Sequence, residues 1–326
     1  QDRIVALPEL VPGAVLRARE VASGPGGKPV NVARVAAALG ERPTLVANLP
    51  GHLGERLAGL LREEPLDLVA VPTHGEMRTA TILLEADGRV TVVNEPGPDL
   101  GGEDAAALRE AATAAVAQRR PQVVVLSGSL PPGAPAQLYA ELSLTAQGLG
   151  STVLVDAGGA ALLAVLEAGA DIVKPNLAEA EAALGTRRAD GAEAGATGAT
   201  TELVDDGAPD IAARCSIAAR ELVARGARAA LVSGGRRGVA LHQGAQAWWF
   251  PAPVVDAVNT VGAGDALAAG VAVALERGAR LPEAVRHGVA VAAESVRHAH
   301  PGVIDAAAVD RLLAEVTEPA AAAVAS

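Results

Sequence analysis

The sequence predicts an α/β fold: a doubly wound, mostly parallel sheet with helices on both faces, joined to a small β-sheet lid. Three observations carry this. Continuous apolar runs, Val123-Val124-Val125-Leu126, Thr152-Val153-Leu154-Val155-Asp156 and Asp171-Ile172-Val173-Lys174, alternate with helical stretches, the pattern of strands buried on both faces. A strand, turn and strand pattern occupies 79–94 around Asp87-Gly88 and stands outside that alternation. The 326 residues suffice for one core domain with an appendage, so 1–326 is read as a single domain whose lid is formed by about 8–24 and 76–97.

Taken in order, the first ten residues begin abruptly, and 11–21, with Pro12-Gly13, reads as a short strand pair. The loop Ser23-Gly24-Pro25-Gly26-Gly27-Lys28-Pro29 leads into a helix over 31–39, where Val32, Val35, Ala36 and Leu39 share one face and Gly40 stops it. Short strands at 44–47 and 68–71 flank a helix near 55–62, and a helix over 105–119 precedes the parallel strands. Helices at 160–167 and 177–184 separate those strands, and 189–209, without periodicity, reads as a mobile surface insertion. A helix over 211–225, a strand over 229–233, the turn Gly234-Gly235-Arg236-Arg237-Gly238 and a hairpin over 239–250 follow, with Trp248-Trp249-Phe250 read as packing. Helices over 282–299 and 305–316 close the chain.

Composition narrows the partners. A net charge of −11 argues against nucleic acid and anionic membrane surfaces, which require a basic face. No apolar run approaches a membrane span and no signal peptide opens the chain. The single Cys215 cannot form an internal disulfide, so a reducing cytoplasm is expected. The six histidines lack the partners of a structural zinc site. An anionic ligand must therefore be held locally, and the only two lysines, Lys28 and Lys174, are candidates because a compact ammonium does what a planar guanidinium does not.

The sharpest local signal is Asn259-Thr260-Val261-Gly262-Ala263-Gly264-Asp265, followed by a run of small residues. Bare backbone before a helix presents N–H groups to an anion, and a carboxylate within such a cradle suits a base that takes a proton from a group attacking phosphate. Leu267 breaks a dinucleotide fingerprint and Pro29 after Gly27-Lys28 breaks a Walker loop. By itself the stretch is read equally well as a helix cap. The parallel pattern places ligands beyond strand C-terminal ends, where Ser127, Ser129, Asp156, Lys174 and Asn176 stand.

Four motifs in order, Gly26-Gly27-Lys28-Pro29-Val30-Asn31, Ser127-Gly128-Ser129-Leu130-Pro131, Lys174-Pro175-Asn176-Leu177-Ala178-Glu179 and Gly262-Ala263-Gly264-Asp265, make the chain resemble the ribokinase-like (PfkB) carbohydrate kinases. The branch it looks most like phosphorylates sugar phosphates, as 1-phosphofructokinase and tagatose-6-phosphate kinase do. The resemblance implies ATP and Mg²⁺, with Asp265 as general base and Gly262, Ala263 and Gly264 holding charge that develops on the transferred phosphoryl group. It implies sugar-phosphate contacts from Asp2, Gly27, Lys28, Asn31 and Arg78. Lys174, Asn176, Ser233, Gly235, Gly238, Thr260 and Gly264 match nucleotide positions. Asn176 and Glu179 match an Asn-x-x-Glu motif that, in the resemblance, serves magnesium through water.

Pro29 replaces a usual glycine, Ala80 a frequent Asn, and Asn259 an Asp of a monovalent-cation site; each departs from the family pattern. In the resemblance a strand precedes Asp2; were the protein to lack it, an inner sheet position would be empty. The expected reaction is fructose 1-phosphate to fructose 1,6-bisphosphate. Tagatose-6-phosphate or 6-phosphofructokinase activity, and a non-catalytic sugar-phosphate sensor, are the alternatives. A homodimer through the lid is the expected assembly, since a small sheet leaves edges open.

Overall fold

The computed structural model describes residues 1–186 and 209–316, together with the backbone of 322–323. In chain order the elements are β1 (Asp2–Leu7), β2 (Glu20–Gly24), α1 (Lys28–Ala38), β3 (Thr44–Asn48), α2 (Gly51–Leu61), β4 (Asp67–Val71), β5 (Ala80–Glu85), β6 (Val90–Asn94) and α3 (Gly102–Arg119). There follow β7 (Val123–Ser127), α4 (Leu138–Gly148), β8 (Thr152–Asp156), α5 (Gly159–Ala168), β9 (Ala170–Val173) and α6 (Leu177–Leu184). The remainder comprises α7 (Ile211–Ala224), β10 (Ala227–Ser233), β11 (Gly238–Gln243), β12 (Gln246–Pro251), α8 (Ala263–Glu276), α9 (Leu281–Ser295), α10 (Ala306–Glu315) and the two-residue β13 (Ala322–Ala323). The insertion expected at 189–209 lies, except for Pro209, outside the described residues.

The main sheet runs β13-β12-β11-β10-β9-β8-β7. Strands β7 to β10 are parallel, as the continuous apolar runs predicted, and the β11–β12 hairpin extends them antiparallel. The two-residue pleat sorts side chains cleanly. Leu154, Ile172, Ala229 and Leu231 face a core shared with α1, α8, α9 and α10. Val153, Val155, Val173, Ala230 and Val232 face the opposite core, shared with α4 to α7. Helices therefore cover both faces, and Trp248 and Phe250 are buried packing residues as read from the sequence.

Strand β7 ends the sheet, and the parallel pair β3–β4 stands as a separate two-stranded sheet. The residues of β7 are accordingly only half-buried up to Ser127. Its exposed start is secured by the carboxylate of Glu276, at the end of α8, which accepts the Val123 N–H at 2.9 Å.

The lid differs from its expected bounds. It is a four-stranded sheet, β2-β1-β5-β6, whose inner strand β1 lies N-terminal to the predicted 8–24 segment. Within that segment only Glu20–Gly24 is a strand, so the strand pair expected over 11–21 does not form. The real partner of β2 is the six-residue run Asp2–Leu7, where Ile4 and Leu7 are buried and alternate with more exposed neighbours. The hairpin β5–β6 forms as predicted, and its Asp87-Gly88 turn places Gly88 at φ +87°.

Helix α8 carries the glycine-rich stretch, and it is apolar nearly all round because it is buried, with every residue from Asp265 to Val271 inaccessible. Its contact with α9 is close because of two glycines. A Cβ on Gly270 would lie 2.8 Å from the Gly288 Cα, and one on Gly288 would lie 2.8 Å from the Leu267 carbonyl oxygen. Gly270→Val is expected to destabilise the protein by ~1–3 kcal/mol, the scale of core overpacking, seen as a lower urea midpoint. An unchanged midpoint would mean that α8 has room to move away from α9.

Candidate active site

The C-terminal ends of β7, β8 and β9, the N-terminus of α1 and the N-terminus of α8 converge. Asp156, the last residue of β8, is 1 % exposed and sits between the chain's two lysines. Its Oδ1 is 3.5 Å from Lys28 Nζ and its Oδ2 is 3.2 Å from Lys174 Nζ. Lys174 immediately follows β9 and is itself buried, which a lysine tolerates only with a charged partner. Lys28 arrives from the first turn of α1 and also lies 3.8 Å from Glu179 Oε1.

Helix α1 begins at Lys28, three residues before the sequence-predicted start, so Pro29 occupies the first turn. There its missing N–H would have had no intrahelical acceptor, and its fixed φ suits the helix. Gly27 caps the helix at φ +102°, a conformation open to glycine. The preceding loop is fixed by Arg34, whose Nη1 donates to the Pro25 carbonyl at 2.8 Å while Nε and Nη2 grip Glu64.

At the other helix, Gly262 caps α8 at φ +86°, and Gly264 brings bare backbone to Lys174: an added Cβ would lie 3.4 Å from its Nζ. Asp265, in the first turn, accepts a 2.8 Å hydrogen bond from Asn31 Nδ2 at its Oδ2. Burial pushes the Asp265 carboxyl up to about 7, and the Asp156 charge adds to the rise, while Lys28, Asn31 and Lys174 hold it back. Two buried polar atoms here have no hydrogen-bond partner, Asn31 Oδ1 and Ser127 Oγ, while Asp156 Oδ2 is held by the Lys174 ammonium. Buried polar atoms are normally satisfied, so this edge is built for groups that arrive from outside.

Asn176 and Glu179 form a capping box at the start of α6. The Asn176 side chain accepts the Glu179 N–H at 2.8 Å, and Glu179 Oε2 accepts the Asn176 N–H at 2.9 Å. Both side chains thus have a structural duty beside any role with metal, and Glu179 Oε1 is the oxygen left toward Lys28. Ser233 lies beside Asn176 through an isolated parallel bridge. Gly235 and Gly238 shape the turn that follows; Gly238 has φ +127°, and a Cβ on it would fall 2.1 Å from the Phe250 carbonyl oxygen. Thr260 is exposed, and its carbonyl accepts the Ala263 N–H at 3.3 Å.

The lid residues form a second group. Asp2 starts β1 in register with Ala80, and its carboxylate takes the Gly27 N–H, with a Cβ on Gly26 excluded by contact with the same carboxylate. Desolvation raises its pKa. Arg78 is exposed and lays its stem over Gly97. Lys28, expected with Arg78 around the sugar phosphate, directs its ammonium at Asp156 and Glu179, and Arg78 stands at the base of the lid hairpin. Asn259, the departure at a cation position, is fully used: Nδ2 donates to the Ala299 carbonyl at 2.9 Å and Oδ1 accepts the Val261 N–H at 3.0 Å. Asp156 was visible in the sequence as a strand-end acid, but nothing in its own neighbourhood marked it as the bridge between two lysines.

A family model of the pfkB family carbohydrate kinases matches residues 2–306. The chain belongs to the pfkB family. A 1-phosphofructokinase of Xanthomonas campestris pv. campestris is 34% identical over 319 residues, covering 94% of this chain and 93% of the relative. The ATP-dependent 6-phosphofructokinase isozyme 2 of Escherichia coli is 30% identical over 292 residues, covering 89% and 87%. A solved structure of phosphofructokinase-2 from Escherichia coli in complex with substrates and products superposes with a TM-score of 0.80 at 28% identity, covering 97% of this chain and 95% of that one. This member of the family is therefore a ribokinase-like sugar kinase that transfers phosphate from ATP to an alcohol. No helix among its described residues is long and apolar enough to cross a membrane.

The charge arrangement has a direct spectroscopic consequence. In the ligand-free kinase the Asp265 carboxyl is expected to titrate near 7 by carbon-detected NMR. Asp156→Asn removes a negative charge that raises this pKa, so the midpoint should fall. An unmoved midpoint would show that burial alone sets it.

Proposed function

We propose that this kinase phosphorylates fructose 1-phosphate to fructose 1,6-bisphosphate with ATP as donor and Asp265 as the base. The observation that carries the reading is the pairing of Asp265, buried and held by Asn31, with the two-lysine arrangement around Asp156. Asn31 occupies Asp265 Oδ2, so Oδ1 is the oxygen for a sugar hydroxyl, and the unpartnered Asn31 Oδ1 accepts from a neighbouring hydroxyl. The sugar oxygen gives its proton to Asp265 as it bonds to the γ-phosphorus, the bond to the bridging oxygen of ADP breaks, and ADP leaves with that oxygen's negative charge. Backbone N–H groups at the start of α8, and the ammoniums of Lys28 and Lys174, face the charge that builds on the phosphoryl group.

Asp2 and Arg78 on the lid bind the sugar and its existing phosphate, Arg78 through its guanidinium fork. Lys174, Asn176, Ser233, Gly235, Gly238 and Thr260 bind the nucleotide in this reading. For magnesium the donor chemistry fits: Glu179 Oε1 is a hard carboxylate oxygen uncommitted by the capping box, and Asn176 stands beside it at the start of α6. Bound with ATP, the ion would neutralise phosphate charge. Relatives named for fructose 1-phosphate support the substrate, and the Escherichia coli relative named for 6-phosphofructokinase activity makes fructose 6-phosphate the competitor.

Asp265→Asn should lower turnover by ~10²–10⁴-fold with the fold retained, the scale of a lost general base. Coupled ADP-release assays on fructose 1-phosphate, fructose 6-phosphate, tagatose 6-phosphate and fructose should rank fructose 1-phosphate first by kcat/KM. Preference for another acceptor would overturn the substrate assignment, and binding without turnover on any would point to a sensor.

We also propose that two copies pair through the lid. Its outer strands β2 and β6 end the sheet and expose Val21, Val92 and Val93, the last 57% accessible. Apolar side chains on open edges favour a partner. Val93→Asp is expected to convert a dimer to a monomer in sedimentation equilibrium; a protein already monomeric before substitution would refute the pairing.

A further inference from the structure

One buried carboxylate has no part in the chemistry above. Glu294, near the end of α9, is 2% exposed. Its Oε1 meets His298 Nε2 at 2.8 Å and accepts the Asp305 N–H at 3.0 Å, and its Oε2 accepts from Arg297 Nη1 at 3.3 Å. A single side chain thus pins both ends of the loop 296–305. Burial of a carboxylate is expensive unless several donors surround it, so these contacts hold the loop firmly.

The pinned loop is the outer wall of the site. The Val296 carbonyl accepts the N–H groups of Val258 and Asn259 at 2.7 and 3.0 Å, and Ala299 accepts the Asn259 side chain. Pro301 packs so closely on Gly262 that a Cβ there would lie 2.9 Å from the proline Cβ. Gly302 lies against Asn31: its added Cβ would be 3.2 Å from both Asn31 Cα and Oδ1. The loop therefore supports the stretch that opens α8 and the residue that holds the Asp265 carboxylate, at once.

We infer that Glu294 is a positioning residue: by clamping the loop 296–305 it fixes the anion cradle at Gly262 and the Asn31–Asp265 pair in reacting geometry. This rests on the reading of Asp265 as base. Small displacements of reacting groups are costly, up to ~10²-fold for about 1 Å, so a loosened wall should be read in kcat. The sequence hides this role, because a glutamate in the last turn of an amphipathic helix reads as a solvated residue.

The test compares Glu294→Gln, which keeps size and one acceptor oxygen, with Glu294→Ala, each normalised to folded protein, beside Asp265→Asn. Turnover should fall ~3-fold for Gln and ~10-fold or more for Ala, with KM for ATP unchanged. Asn259→Ala should add little to Glu294→Ala, since both release the same loop. Where Glu294→Ala does not fold, His298→Ala removes one arm of the clamp from a ring that is a third exposed, and a ~3-fold loss is expected. Turnover within 1.5-fold of the parent for Glu294→Gln and His298→Ala, with Asp265→Asn inactive, overturns the clamp alone. An active Asp265→Asn overturns the assignment of the base.

Discussion

Everything at the site depends on how one buried negative charge is shared. Two ammoniums brought together without Asp156 would repel each other and drag the Asp265 carboxyl downward, making it a weak base. Asp156 screens both and opposes the ionisation of Asp265, so the four groups hold each other near balance. The parallel sheet supplies the spacing: Val155 and Val173 are register partners on β8 and β9, and the residues after them are Asp156 and Lys174. The lysine on α1 and the aspartate on α8 then approach from one side.

The fold accepts a penalty for this arrangement. A carboxyl whose pKa is raised on folding favours the native state while protonated. Below its unfolded value of about 4 that contribution is complete, and it is lost as pH rises through about 7. Above about pH 7 the ionised Asp265 thus weakens its own fold, and the close α8–α9 packing through Gly270 and Gly288 helps to hold the helix that carries it. Small residues do this twice: they let α8 sink between neighbours, and at Gly264 they admit the Lys174 ammonium to the backbone.

Much of this was legible because burial and catalysis leave periodic or ordered marks. Apolar runs on β7, β8 and β9 announced a parallel core, and Asp87-Gly88 announced the lid hairpin. The lid's inner strand was missed because Asp2–Leu7 alternates only weakly, with two buried residues in six, and its partner strands are distant in sequence. Helix α1 was placed three residues late because Gly27-Lys28-Pro29 reads as loop, although proline belongs in a first turn. Asn176 and Glu179 carry the spacing of a capping box, which the metal reading overlooked and the structure contains. Asp156 and Glu294 were opaque for another reason: what distinguishes them is who surrounds them, and those partners come from other elements.

Proton flow follows from the same geometry. The N-terminus of α8 favours a charged Asp265 through its dipole, and burial disfavours it. Burial prevails and lifts the carboxyl to about 7, so a ligand that adds positive charge or donates a hydrogen bond to the carboxylate shifts it back toward the ionised form. In the proposed reaction a sugar hydroxyl at Oδ1 donates more strongly to the ionised form than to the neutral acid, so acceptor binding would draw Asp265 toward the state that can take a proton. Asn31 cannot replace this, since its amide already points at Oδ2 and its own oxygen is left for the substrate. In the proposed reaction the ionised form is thus favoured by the molecule it acts on, and the empty cleft holds more of the protonated acid than the loaded one would.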